Sequence, residues 1–64
     1  MTWELYEVWT EDEDGHQELI DTTKSKKEAE DIAQRTLIEG AYLVLVMKET
    51  QDGEIEEIDR LTLG

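Results

Sequence analysis

Two spacings of apolar residues alternate along the chain. From Trp3 to Thr10 aromatic and β-branched residues alternate sides: Trp3, Leu5 and Trp9 fall on one face, Tyr6 and Val8 on the other. That period of two predicts a strand. Glu11 to Gly15 then reads as a turn, because Asp14-Gly15 supplies the positive φ that hairpins require. His16 to Thr22 follows as a second, more polar strand whose large apolar residues are Leu19 and Ile20. The period changes at Ser25. Ala29, Ile32, Ala33, Thr36 and Leu37 recur at the spacing of one helix face, which predicts a helix over Ser25–Glu39. Ser25 with Glu28 three residues on fits a capping box, and Gly40 stands where a left-handed residue closes a helix. On the outer face Lys27, Asp31 and Arg35 are spaced for two ion pairs.

Ala41 to Lys48 is apolar on both sides, as an interior strand is. It offers Leu43, Leu45 and Met47 on one face, Tyr42, Val44 and Val46 on the other. Asp52-Gly53 marks a second turn, and Glu54 to Leu61 returns as a polar strand carrying Ile55, Ile58 and Leu61. A two-residue loop here would set Lys48 against Glu57, Met47 against Ile58 and Glu49 against Glu56. No repeat, linker or low-complexity segment stands out beyond the acidic turn.

The element order is therefore ββαββ. The two strands that are apolar on both sides belong inside the sheet, which places the strands in the order 2-1-3-4. Every neighbouring pair is then antiparallel, and one helix crosses one face. The expected architecture is a single α+β domain over residues 1–64. One helix covers one face only, so the other apolar set of the inner strands faces outward. The pattern leaves open which set that is.

Charge sharpens this picture. Eighteen acids and six bases give a net charge of −12. Residues 2–21 hold eight acids and no Lys or Arg, residues 24–40 hold four of each sign, and residues 41–64 hold six acids and two bases. A neutral helix is thus flanked by two acidic hairpins. Such a surface opposes phosphate backbones and anionic membranes, where affinity comes from cations displacing counterions. The partner classes left are a basic protein surface, a second copy or a divalent metal. With no Cys there is no disulfide or thiol chemistry. No apolar run is long enough to span a bilayer and no basic-then-apolar leader is visible, so a cytoplasmic location is expected.

Catalytic candidates are few. Ser25, the one serine, is used as a helix cap, and His16, the one histidine, follows a turn. No nucleophile, base and orienting group are spaced to converge, and the chain reads as a non-enzyme without cofactor. Thr10, Asp12, Asp14, Gly15, Glu18 and Asp21 match the spacing of a calcium-binding EF-hand loop. The first ligand there is Thr, the last is Asp where that loop needs Glu, and strands flank it, so a solvated turn is the reading taken. Lys24, Lys26 and Lys27 gather at the helix start with no Gly-rich loop beside them. They are expected to offset Asp52 and Glu54.

These features predict a protein-binding module without catalysis. Its partner would be a basic protein or a second copy, held by the open apolar face and a carboxylate rim. The residues assigned to that contact are Trp3, Trp9 and Tyr42 with Glu54, Glu56, Glu57 and Asp59. The alternative is an inhibitor that mimics nucleic acid with a row of carboxylates drawn from the fourth strand and the first turn.

Overall fold

A computed structural model describes residues 3–63. Strands β1 (Glu4–Glu11) and β2 (Gln17–Thr23) form the first hairpin, and β3 (Leu43–Thr50) and β4 (Ile55–Thr62) the second. Helix α1 (Lys26–Ile38) links them. The sheet runs β2-β1-β3-β4 with all neighbours antiparallel, as expected from the two inner strands being apolar on both sides.

The open question of faces is resolved by the core. Tyr6, Val8, Val44 and Val46 lie under α1, buried with Ala29, Ala33 and Leu37, while Ile32, Ala41, Ile58 and Leu61 pack around them. Ala29 and Ala33 are fully buried against the inner strands, so the helix approaches the sheet on its smallest side chains. Leu5, Trp9, Leu43, Leu45 and Met47 therefore belong to the opposite face. No helix among the described residues is long and apolar enough to cross a membrane.

Both ends of α1 are closed by the chain itself. Ser25 Oγ accepts from the Glu28 N–H at 3.3 Å. The return half of the capping box runs through a third residue: Thr23 Oγ1 donates to Glu28 Oε2 at 2.8 Å and accepts from the Ser25 N–H at 3.2 Å. At the far end Gly40 has φ +119, its N–H donates to the Leu37 carbonyl, and the Ala41 N–H donates to that of Thr36. That is the Schellman arrangement, which satisfies carbonyls the helix leaves free. The expected outer-face pairs are not closed. Among the described residues the ion pairs are Lys48–Glu4 and Arg60–Glu57, while the His16 ring lies 3.4 Å from Asp12, so neither Lys27–Asp31 nor Asp31–Arg35 forms. Side-chain entropy outweighs the few tenths of a kcal/mol that such an exposed pair offers. The lysines at the helix start likewise make no ion pair with Asp52 or Glu54.

The second hairpin departs from the expected register. Its loop has three residues, 51–53, closed by Thr50 N–H to Glu54 carbonyl and Gly53 N–H to Thr50 carbonyl, each at 2.9 Å. The extra loop residue slides the pairing by one, so Lys48 faces Glu56, Met47 faces Glu57 and Glu49 faces Ile55. The like-charge pair of Glu49 with Glu56 is thereby avoided. The first hairpin is built identically over residues 13–15, and Gly15 and Gly53 take φ +87 and +85, a region costly for any residue with a Cβ.

That likeness extends into the strands and exposes a repeat hidden in the sequence. Asp14, Gly15, Glu18, Ile20 and Asp21 recur 38 positions later as Asp52, Gly53, Glu56, Ile58 and Asp59. Each identity but the glutamate has a visible cause. The Asp-Gly dipeptide forms the turn. Ile20 and Ile58 are the extra, unpaired residues of bulges at equivalent places in β2 and β4. Asp21 and Asp59 each accept, at 2.8 Å, the N–H of the next residue. Val8 pairs with Val46 across the β1–β3 junction, and these two are also 38 apart. A half-turn about an axis through that pair exchanges one hairpin with the other. The sheet is a pseudo-symmetric duplicate, and α1 breaks its symmetry.

Candidate protein-binding surface

Four cross-strand rows compose the face away from α1. Gln17, Glu11, Leu43 and Thr62 form the first, and Leu19, Trp9, Leu45 and Arg60 the second. Thr22, Glu7, Met47 and Glu57 form the third, and Leu5, Glu49 and Ile55 the last. A diagonal band of apolar side chains thus descends from Leu19 through Trp9, Leu45 and Met47 to Ile55. Carboxylates lie on both sides of it, Glu7 and Glu49 on one, Glu11 and Glu57 on the other. A shallow cavity of about 190 Å³ opens along the band, lined by Glu7, Trp9, Gln17, Leu45, Met47 and Ile55.

Local contacts hold this surface in place. The Trp9 indole N–H donates to Glu7 Oε1 at 3.0 Å, which ties the ring to its neighbour two residues back on the same side. Arg60 donates to Glu57 Oε1 at 2.9 Å. That contact holds the guanidinium pKa above its ordinary value and uses the one base in the four rows. Gln17 donates to Glu11 at 2.9 Å. Leu43 and Leu45 are sheltered between these neighbours, whereas Ile55 is 60% exposed.

The residues assigned from sequence do not converge on one surface. Trp9 sits at the centre of the open face and Glu57 on its rim. Glu56 and Asp59 are on the helix side: Glu56 opposite Lys48, Asp59 in the same cross-strand row as Val8 and Val46. Glu54 flanks the second loop, Trp3 is half exposed before β1, and Tyr42 stands 59% exposed between two clefts at the end of the sheet. Glu7, Leu45, Met47, Ile55 and Arg60 were missed. Their alternation with Trp9 was visible, but without knowing which face the helix takes it selected nothing. The β4 carboxylates are likewise split between faces, so they do not form the single row that nucleic-acid mimicry would use.

On the helix side, Tyr6 donates its hydroxyl to Glu4 Oε2 at 2.6 Å, and Glu4 meets Lys48 at 3.6 Å. The Tyr6 bond, then the Lys48 charge, lowers the Glu4 pKa, and the same bond raises that of Tyr6. Burial first, then Asp59, raises the carboxyl pKa of Glu30, while Lys26 acts in the opposite sense.

The first turn was the sequence's candidate for metal. Asp12, Asp14 and His16 can bring ligand atoms within 4.8 Å of one another. Their geometry is that of a self-closing loop: Asp12 Oδ1 accepts the N–H groups of Asp14 and His16, both at 2.9 Å. Those bonds, led by the one from His16, lower the Asp12 pKa. The remaining members of the EF-hand spacing lie along strands: Thr10 is in β1, and Glu18 and Asp21 are in β2. Comparison with protein-family models, curated proteins and solved structures gives no match.

Proposed function

We propose that this protein is a non-catalytic binding module that holds a basic protein partner on the open face of its sheet. One observation carries the reading: the band from Leu19 to Ile55 has no helix or strand packed over it, in a chain of net charge −12, and it is flanked on both sides by carboxylates. Both its ends are exposed, Trp9 and Met47 are half-buried, and Leu45 is sheltered between them. Apolar area supplies the affinity of such a contact, and Trp is among the side chains most often found at its centre. Carboxylates around it steer a cationic partner and repel an acidic one. A second copy is the poorer occupant, since it would set Glu7, Glu11, Glu49 and Glu57 against their own kind.

Sedimentation velocity at low and high salt tests the choice. A monomer under both conditions, with a native partner retained by the wild type, released by salt and lost with Trp9→Ser, supports a heterologous basic partner. A dimer strengthened by salt replaces that reading with self-association.

A further inference from the structure

The shape of the band says what kind of segment it accepts. This inference rests on the open face being the binding surface, and concerns what the partner presents to it. An extended segment laid on a sheet face finds no backbone partners there, because all sheet hydrogen bonds lie in the plane of the strands; its own N–H and C=O groups would be desolvated without compensation. Adding a strand at the edge is impeded at both edges by the bulges at Ile20 and Ile58, which interrupt the regular ladder an incoming strand would need. A helix meets neither difficulty, since its backbone groups are satisfied internally. The other face already shows that this sheet accepts one: α1 lies across all four strands.

From this geometry we infer that the partner docks as a cationic amphipathic helix along the diagonal from Leu19 to Ile55. Its apolar stripe lies on Trp9 and Met47 between Leu19 and Ile55, with Lys or Arg on one flank reaching Glu7 and Glu49 and on the other reaching Glu11, since Arg60 already holds Glu57. The diagonal crosses three strand spacings and about three rows, which a helix of about four turns spans.

The probe is a synthetic Leu/Lys peptide of that length with apolar residues at helical spacing. It is compared with a peptide of the same composition in strict alternation and with a Leu/Glu version at helical spacing. Trp3→Phe leaves Trp9 as the sole indole, so its fluorescence reports directly from the face. The helical Leu/Lys peptide should shift Trp9 emission and bind at least about tenfold more tightly than the alternating one, with affinity falling as salt rises. The Leu/Glu peptide should not bind. Met47→Glu separates docking from mere charge attraction, because it makes the protein more acidic while placing a carboxylate in the band. It should weaken the helical peptide by about tenfold or more. Unchanged or tighter binding to Met47→Glu would overturn the face and the binding reading with it. Equal binding of the alternating peptide, or failure of the helical one while the alternating one binds, would overturn the helix alone. Failure of both Leu/Lys peptides would overturn the helix as well, and salt-strengthened dimerisation in sedimentation would then decide against the basic partner.

Discussion

Single side chains in this protein often act through the chain segment beside them. Thr23 shows it: one hydroxyl binds both the cap residue and Glu28, so a two-residue box becomes a three-residue relay. Ser25→Ala removes the bond to the Glu28 N–H and should cost about 1 kcal/mol in denaturant unfolding. No loss would mean that Thr23 alone closes the helix. Glu30 acts in the opposite sense. Its carboxyl pKa is raised above the ordinary 4.5 by burial and by Asp59 on β4, against the pull of Lys26 one turn earlier. The folded chain therefore holds that proton to higher pH than the unfolded chain does. The stability linked to it is complete below the ordinary value and is lost as pH rises through the folded one. Glu30→Gln should raise the melting temperature near neutral pH, and the gain should shrink towards about pH 4. An equal gain at both values would show that the carboxylate's charge is not the cause.

At the scale of elements, packing decides which residues count. Ala29, Ala33 and Leu37 form the buried stripe of α1, and Ile38 next to it is 79% exposed. Leu37→Ala should cost ~2–5 kcal/mol, enough to unfold a chain this small, while Ile38→Ala should lie within about 0.5 kcal/mol of the wild type. Chemical unfolding of the pair measures this, and the reverse order would mean that the helix is rotated. The helix was legible because period, cap and terminal glycine agree. Strand order was legible because two strands are apolar on both sides. The register of the second hairpin was not: Asp52-Gly53 suits both a two-residue and a three-residue loop, and a hydrogen bond between Thr50 and Glu54 chooses between them. The covered face was hidden for a related reason. Both sets in β1 and β3 are apolar enough to be core, and only the docked helix distinguishes Tyr6 and Val8 from Leu5 and Trp9. Three of the seven residues assigned to the partner contact (Trp3, Glu54 and Tyr42) lie outside the strands, where alternation gives no direction.

Over the whole molecule, charge repulsion is largely unanswered by local pairing. Against eighteen acids, the described ion pairs use Glu4 and Glu57. Shortening the Debye length from ~10 Å at 0.1 M to ~3 Å at 1 M salt should therefore raise the melting temperature by several degrees. A flat or falling midpoint in a thermal scan with NaCl would show that the acids are balanced at short range after all.

The duplicated hairpins also make this chain its own control experiment. Asp21 and Asp59 perform one backbone task in one local setting, yet Asp21 lies in a cleft with Asp31 and Arg35 whereas Asp59 meets Glu30. The difference between Asp21→Ala and Asp59→Ala therefore reads what unlike neighbours, in the strands and on the helix, add to a shared turn and bulge. Asp12 and Thr50 are another such couple: the Asp12 carboxylate closes its loop with two bonds, while the buried Thr50 hydroxyl has no partner among the described residues. Each hairpin thus serves as a template on which the other can be repaired, tested residue against residue at constant temperature, salt and chain length.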